Sequence, residues 1–224
     1  VKLRAILTDL EGTTTALAFV KETLFPYASE HLADFVARHP QSSAVLEACA
    51  AARQGSPESA PVETLRAWIR ADRKIGVLKT LQGRIWREGY MQGALRGHLW
   101  PDAVVGLQRM AASGLRLAVF SSGSVEAQQL LFRHSVAGDL SGLIEAWFDT
   151  STGPKQAASS YASIAASLGI APQAILFLSD SPPELDAARD AGLRTCCIER
   201  GEAGDPPPHD HPRAADFTPL PLDK

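Results

Sequence analysis

The stretch Ala5-Ile6-Leu7-Thr8-Asp9-Leu10-Glu11-Gly12-Thr13-Thr14 decides how the rest of the chain is read. Leu3, Ala5, Ile6 and Leu7 form a short apolar run of the kind that makes a buried strand, and the run stops at an acid. A second acid follows two residues on. Gly12 permits the backbone to turn and Thr13 can tie the turn down, so Asp9 and Glu11 can face the same space. A strand-end Asp with a second acid beside it suits metal-assisted phosphoryl transfer, in which one carboxylate attacks phosphorus and both help organise Mg²⁺. The same residues also suit a helix cap, with Asp9 satisfying backbone N–H groups and Glu11 solvated. Taken alone, they favour the cap.

Further along, the pattern of strand, turn and helix repeats. Leu115 to Phe120 is a strand that ends at Ser121-Ser122-Gly123-Ser124, and a helix is expected from Val125 to about His134. Ala146-Trp147-Phe148 ends in Asp149, and Lys155 to Leu168 reads as helix. Ala174 to Leu178 ends in Ser179-Asp180, with Pro182 and Pro183 placed to start a helix that runs to Ala191. Thr195 to Ile198 is one more strand. Buried strands alternating with helices specify an α/β fold, a doubly wound parallel sheet.

One segment breaks the alternation. Between the first two strands, Phe19 to Arg38, Ser43 to Arg53, Val62 to Arg73 and Val77 to Met91 all carry helical spacing. Such a length far exceeds one crossover, so an inserted helical cap of roughly 80 residues is expected. The expected division is a core of residues 1–16 and 97–224 and a cap of residues 17–96. Loops at the carboxyl ends of parallel strands form the ligand crevice, and a cap rising from one of them would exclude water there. From Gly201 to Lys224, proline-rich sequence reads as an extended tail. A short strand is expected at Ala215 to Phe217, and His209 and His211 are expected to be solvated.

The formal net charge of −3 argues against a dedicated nucleic-acid binder. With 45% hydrophobic residues the chain is ordinary for a globular protein. No apolar run approaches a membrane span. The three cysteines, Cys49, Cys196 and Cys197, show neither a disulfide framework nor metal-site spacing, which fits a reducing compartment. The chain goes directly into a strand, so no signal peptide is expected. These features lead us to expect a cytoplasmic monomer, with no nucleic acid and no membrane as partner.

The strand ends offer Asp9 and Glu11, Ser121 and Ser122, Lys155 and Asp180, and a doubly wound sheet brings such ends to one rim. Asp9 and Asp180 supply hard oxygen ligands for Mg²⁺. The Ser121 hydroxyl and the N–H groups around Ser122-Gly123 can hold phosphate oxygens, and Lys155 opposes the charge of the transferring group. Each has a plainer reading as a cap or a solvated side chain. All of those plainer readings holding together, in this order and each at a strand end, is the weaker account.

With those residues assembled, the sequence resembles the haloacid dehalogenase superfamily of phosphotransferases, over nearly its whole length. The resemblance implies Asp9 as nucleophile, Ser121 as the phosphate-binding hydroxyl, Lys155 as charge stabiliser and Asp180 as metal ligand. Where most phosphatases of the superfamily have a second Asp, this chain has Glu11. Asp9-x-Glu11-Gly12-Thr13-Thr14, Phe120-Ser121-Ser122-Gly123-Ser124, Gly97-His98-Leu99-Trp100-Pro101-Asp102 and Phe148-Asp149-Thr150 are similar to the enolase-phosphatase family of methionine salvage. That implies enolisation and then dephosphorylation of 2,3-diketo-5-methylthiopentyl-1-phosphate with Mg²⁺. Glu11 would serve as enolisation group, metal ligand or general acid. Another capped phosphatase of the superfamily is the alternative. A phospho-accepting signalling domain is disfavoured by the length of the chain.

Overall fold

Residues 1–201, 208–218 and 220 are described in the computed structural model of the chain. Two compact units emerge, Val1–Leu17 with Gly97–Lys224, and Ala18–Arg96. The helices are α1 (Leu17–Phe19), α2 (Phe25–Arg38), α3 (Ser43–Gly55), α4 (Pro61–Arg70), α5 (Gly76–Met91), α6 (Pro101–Ala112), α7 (Val125–Arg133), α8 (Ala158–Leu168) and α9 (Pro182–Asp190). The strands are β1 (Ala5–Thr8), β2 (Arg116–Phe120), β3 (Ala146–Phe148), β4 (Ile175–Ser179), β5 (Arg194–Ile198) and β6 (Arg213–Ala214).

The strands form one sheet in the order β3-β2-β1-β4-β5-β6, parallel at every pairing. This is the doubly wound α/β sheet expected from the alternation. Strand order reverses at β1, which pairs with β2 on one side and β4 on the other. The crevice of such a sheet opens beyond the carboxyl ends of those strands. Asp9 is the first residue past β1, and its N–H still donates to Leu178 O at 2.8 Å. Strands covered on both faces must be apolar at successive positions, and all four residues of β1 and all five of β4 are buried. Alternate residues Ala5, Leu7, Ala118, Phe120, Ile175, Phe177 and Cys197 pack on one side with Tyr161 and Ile164 of α8 and Leu185 and Ala188 of α9.

The second unit has its own core, built where α2, α3, α4 and α5 turn Leu32, Phe35, Val45, Ala48, Leu65, Ile69, Leu81 and Ile85 toward one another. Before α2 the residues Val20–Leu24 are π-helical. Pro26 has no N–H to donate to Glu22 O, and its ring would crowd that carbonyl in a regular α-turn, so the wider turn accommodates it. Gly89 permits the closest approach in this unit, since a Cβ there would lie 2.7 Å from the Tyr27 ring.

The sequence expectations need several corrections. The helix expected to reach Arg73 stops at Arg70, because Asp72 adopts a left-handed conformation (φ 46°). Arg73 N–H then caps Trp68 O, and Asp72 N–H caps Ile69 O. The helix expected from Lys155 begins only at Ala158. Gly153 (φ 145°) lies against Ser160, and Ser160 Oγ and Tyr161 Oη donate back to the carbonyls of Pro154 and Lys155. Lys155 therefore sits on a folded loop ahead of α8. The short strand expected at Ala215 to Phe217 is instead Arg213–Ala214, which pairs with Cys197 and Ile198. His211 is buried, and the His209 imidazole is only 4% exposed, so neither is solvated. Much of the expected proline-rich tail, including Pro206, Pro207, Pro219 and Pro221, lies outside the described residues. Among the described residues, no helix is long and apolar enough to cross a membrane.

Candidate active site

The turn after β1 is tied by short backbone bonds, Gly12 N–H to Thr15 O at 2.8 Å and Thr14 N–H to Leu10 O at 2.9 Å. Thr14 Oγ1 also donates to Asp9 O at 2.9 Å. His98 Nδ1 accepts from Ala16 N–H at 3.2 Å and meets Thr15 Oγ1 at 3.1 Å, pinning the end of the turn. From the other side Arg200 donates to Thr13 O at 2.6 Å while its guanidinium grips Asp102 at 2.9 and 3.0 Å. Burial pushes the Asp102 carboxyl up, but the Arg200 bonds outweigh it and hold the carboxyl below the ordinary range. A bidentate arginine is a rigid brace, and this one rests on Trp100 and Phe217.

Within this frame the carboxyl of Asp9 is buried, 3% exposed, and accepts on both oxygens. Oδ1 receives Lys155 Nζ at 2.6 Å and Leu10 N–H at 2.7 Å, and Oδ2 receives Ser179 Oγ at 3.2 Å. Lys155 Nζ is shared with Glu184, 2.7 Å away. Burial works against the lysine charge, but Asp9 and Glu184 override it and hold the ammonium form far above its usual range.

Glu11 accepts from Ser121 Oγ at 2.8 Å, and Gly123 N–H donates to Ser121 Oγ at 2.9 Å. Gln128 Nε2 secures that loop by donating to Gly123 O and Phe148 O. Burial, then the Asp9 charge, raise the Glu11 carboxyl above its ordinary value. Asp180 is joined to the first turn through Thr13, whose Oγ1 receives the Asp180 N–H at 3.0 Å. Burial and the Asp9 charge push its carboxyl up to about 6.

The structure thus brings Asp9, Glu11, Ser121, Lys155 and Asp180 together. Ser122 is exposed on the turn, and the bonds into the cluster run through Ser121 and Gly123. Sequence reasoning missed Glu184, whose carboxyl is pushed up to about 8 by burial and the Asp9 charge against the pull of Lys155. Ser181-x-x-Glu184 at a helix start reads as an ordinary capping box, which hid it. In fact the Ser181 side chain makes no cap bond, and Glu184 turns to Lys155. Asp102 with Arg200 was missed too, because residues almost a hundred positions apart give no local signal.

Four carboxyl groups, Asp9, Glu11, Asp180 and Glu184, therefore surround one ammonium. Burial first, and then the charge of Asp9, raise the proton affinities of Glu11, Asp180 and Glu184. An all-oxygen donor set of this sign fits a hard divalent cation. The fit is close: Gly12 has φ +81°, and a Cβ there would lie 2.2 Å from Asp180 Oδ2. Gly12→Ala should therefore displace Asp180. We expect a stability loss of about 1–3 kcal/mol from the backbone alone, together with a higher divalent-ion requirement for activity. Thermal unfolding and a metal titration of activity would check this; an unchanged metal requirement would count against Asp180 as part of the metal-holding group.

A carboxylate at the reversal point of a parallel sheet, clamped by a lysine and faced by a hydroxyl and further acids, defines a phosphoryl-transfer hydrolase. Residues 3–192 match the family model described as haloacid dehalogenase-like hydrolase. Over 215 residues the chain is 52% identical to the protein named enolase-phosphatase E1 of Granulibacter bethesdensis, covering 96% of this chain and 93% of that one. To the protein of the same name from Pseudomonas aeruginosa it is 50% identical over 220 residues, covering 96% of each. Among solved structures, the UTR4 protein of Saccharomyces cerevisiae aligns with a TM-score of 0.82 at 32% identity, covering 98% of this chain and all of that one. The chain belongs to the enolase-phosphatase family of haloacid dehalogenase-like hydrolases.

Proposed function

We propose that the chain enolises 2,3-diketo-5-methylthiopentyl-1-phosphate and then removes its phosphate, releasing the acireductone of methionine salvage. The observation that carries this reading is the contrast between the two acids of the first turn. Asp9 is clamped by a cation and two donors, as a nucleophilic carboxylate should be. Glu11 is bonded to Ser121 and has a raised proton affinity, as a group that moves a proton should have.

In the enolase step the Glu11 carboxylate takes a proton from the carbon beside the carbonyl, and the electron pair of that C–H bond forms the C=C bond. The proton is delivered to the carbonyl oxygen, giving the enol and restoring the Glu11 carboxylate. Asp9 then attacks phosphorus. Its oxygen forms the new bond, the bond to the enol oxygen breaks, and the electron pair leaves with the acireductone. Water attacks the aspartyl-phosphate, releasing inorganic phosphate and the Asp9 carboxylate. Lys155 orients Asp9 and opposes the charge on the phosphoryl oxygens, while Ser121 and Ser122 on the second turn hold those oxygens. Asp9 and Asp180 would hold Mg²⁺, which when bound supplies positive charge against the phosphate; direct ligation by Glu11 is the alternative to its role as base. A monomer in the cytoplasm completes the proposal.

The test is an anaerobic incubation with the diketo phosphate and Mg²⁺, following ultraviolet growth of the enediol alongside phosphate release. Phosphate release from simple esters, without enediol from the diketo compound, would favour a different capped phosphatase. Glu11→Gln should slow enediol growth by a factor of about 10² to 10⁴, the usual share of a positioned proton-transfer group. If that variant retains full enolisation and loses only phosphate release, the role assigned to Glu11 is wrong.

A further inference from the structure

At the far side of the sheet from β3, the segment after Pro208 runs back along β5. Residues two apart on a strand share a face, so Thr195, Cys197 and Glu199 line up toward that segment, as His209 and His211 do toward β5. The two histidines differ in how they are used. His211 is satisfied at both nitrogens, Nδ1 against Thr195 Oγ1 at 2.9 Å and Nε2 against Asp186 Oδ1 at 3.2 Å. His209 has no hydrogen bond at either nitrogen, although its imidazole is 4% exposed. Its Nε2 points at Glu199 Oε1 from 3.4 Å, without the geometry of a hydrogen bond, and the same oxygen is paired with Arg213 at 3.1 Å, again without that geometry.

Buried polar atoms left without partners are rare enough to need a reason. For the His209 nitrogens, the neighbouring side chains point to one. One ligand atom each from Cys197, Glu199 and His209 lie within 4.8 Å of one another. We propose that Cys197, Glu199 and His209 form a binding site for a thiophilic divalent cation of the Zn²⁺ class, which clips the segment after Pro208 to β5.

A thiolate, an imidazole and a carboxylate are a donor set that Zn²⁺ accepts, and three protein ligands leave a fourth position for water. Mg²⁺ prefers an all-oxygen octahedron and is a poor match. The frame does not depend on the ion. Cys197 N–H donates to Pro212 O at 2.8 Å and Glu199 N–H to Ala214 O at 2.9 Å, so the ligands are held in register by backbone bonds. Arg213 reaches the same Glu199 oxygen at 3.1 Å, but it is half exposed and can swing aside. When the ion binds, a metal–sulfur bond forms and the Cys197 thiol proton leaves to the buffer. Without an ion the thiol is inert, since burial and the Glu199 charge push it up to about 12.

Co²⁺ reports on such a site by a near-ultraviolet charge-transfer band from thiolate to metal, which the oxygen ligands around Asp9 cannot produce. The full chain, stripped with a chelator and held in excess Mg²⁺, would be titrated with Co²⁺ and the band then competed away with Zn²⁺. We expect the band in the parent and in Cys196→Ser, since Cys196 points to the opposite face. We expect its loss in Cys197→Ser and in His209→Ala. Glu199→Gln should weaken Co²⁺ binding by at least about tenfold, the cost that even outer partners of a metal carry. His209 lies outside the strands and makes no side-chain hydrogen bond, so His209→Ala tests the site without altering a residue of β5. Absence of the band in the parent, or its survival in Cys197→Ser or His209→Ala, would overturn the proposal.

Discussion

Asp9→Asn should abolish phosphate release, by a factor on the order of 10⁵ or more, the scale at which loss of a covalent nucleophile is felt in other hydrolases. The substitution is a clean one. An Asn oxygen in place of Oδ1 still accepts from Leu10 N–H and Lys155, so the turn after β1 keeps its bonds. The Asp9 charge is also one of the causes that raise Glu11, Asp180 and Glu184, and removing it relieves all three. Lys155 loses the charge of Asp9 but keeps Glu184 at 2.7 Å, so the stability loss at neutral pH should be smaller than that of removing the lysine itself, about 1–2 kcal/mol. Activity and stability part company, and that separates a chemical role from a structural one. Phosphate release measured beside a urea melt provides both numbers. If the variant retains more than about a hundredth of the parent rate, Asp9 is not the nucleophile.

The parts of this molecule that were legible from sequence are those whose signal is local and strong. β1 and β4 are short apolar runs that end in acids, and the parallel pairing follows from helices returning the chain between strands. The ends of elements were less legible because turn chemistry settles them. Asp72 takes a left-handed conformation that its residue type only permits, and Lys155 falls on a loop because Ser160 and Tyr161 claim the carbonyls ahead of α8. Glu184 was hidden for another reason. In sequence it completes a cap, and only the arrival of Lys155 from 29 positions earlier gives it a different partner. His209 shows the same limit, since its neighbours Cys197 and Glu199 become visible only once the tail lies along β5.

A common logic runs through the active-site cluster. One ammonium faces several acids, and burial together with the Asp9 charge raises the proton affinities of Glu11, Asp180 and Glu184. Such a site holds its charge poorly until a divalent ion arrives. The buried position of Lys155, its side chain 10% exposed, also means that water does little to screen its pairs with Asp9 and Glu184.

Lys155→Met is the variant that exposes this balance most directly. It leaves Asp9, Glu11, Asp180 and Glu184 with no ammonium, and removing one partner from a buried pair costs about 3–5 kcal/mol. We expect a loss of that order near pH 8, and with it a fall in phosphate release of about 10³ or more. The pH dependence gives the sharper test. Glu184 is pushed up to about 8 and Asp180 to about 6, against ordinary values of 4.5 and 3.8. Over that window the folded chain binds more protons than the unfolded one, so these groups add stability at low pH and lose it as pH rises. Lys155 is among the influences that lower Glu11, Asp180 and Glu184, so its removal raises all three further and steepens the penalty toward alkaline pH. His211 works in the opposite sense, since burial lowers its pKa, but it is common to both proteins and cancels in the difference. Urea melts of parent and variant without divalent ions should therefore lie close at about pH 5 and diverge toward about pH 8. A gap of equal size at both ends would mean that the lysine serves packing rather than charge. Added Mg²⁺ should narrow the alkaline gap, because a cation held by Asp9 and Asp180 takes over part of the compensation that Lys155 supplied.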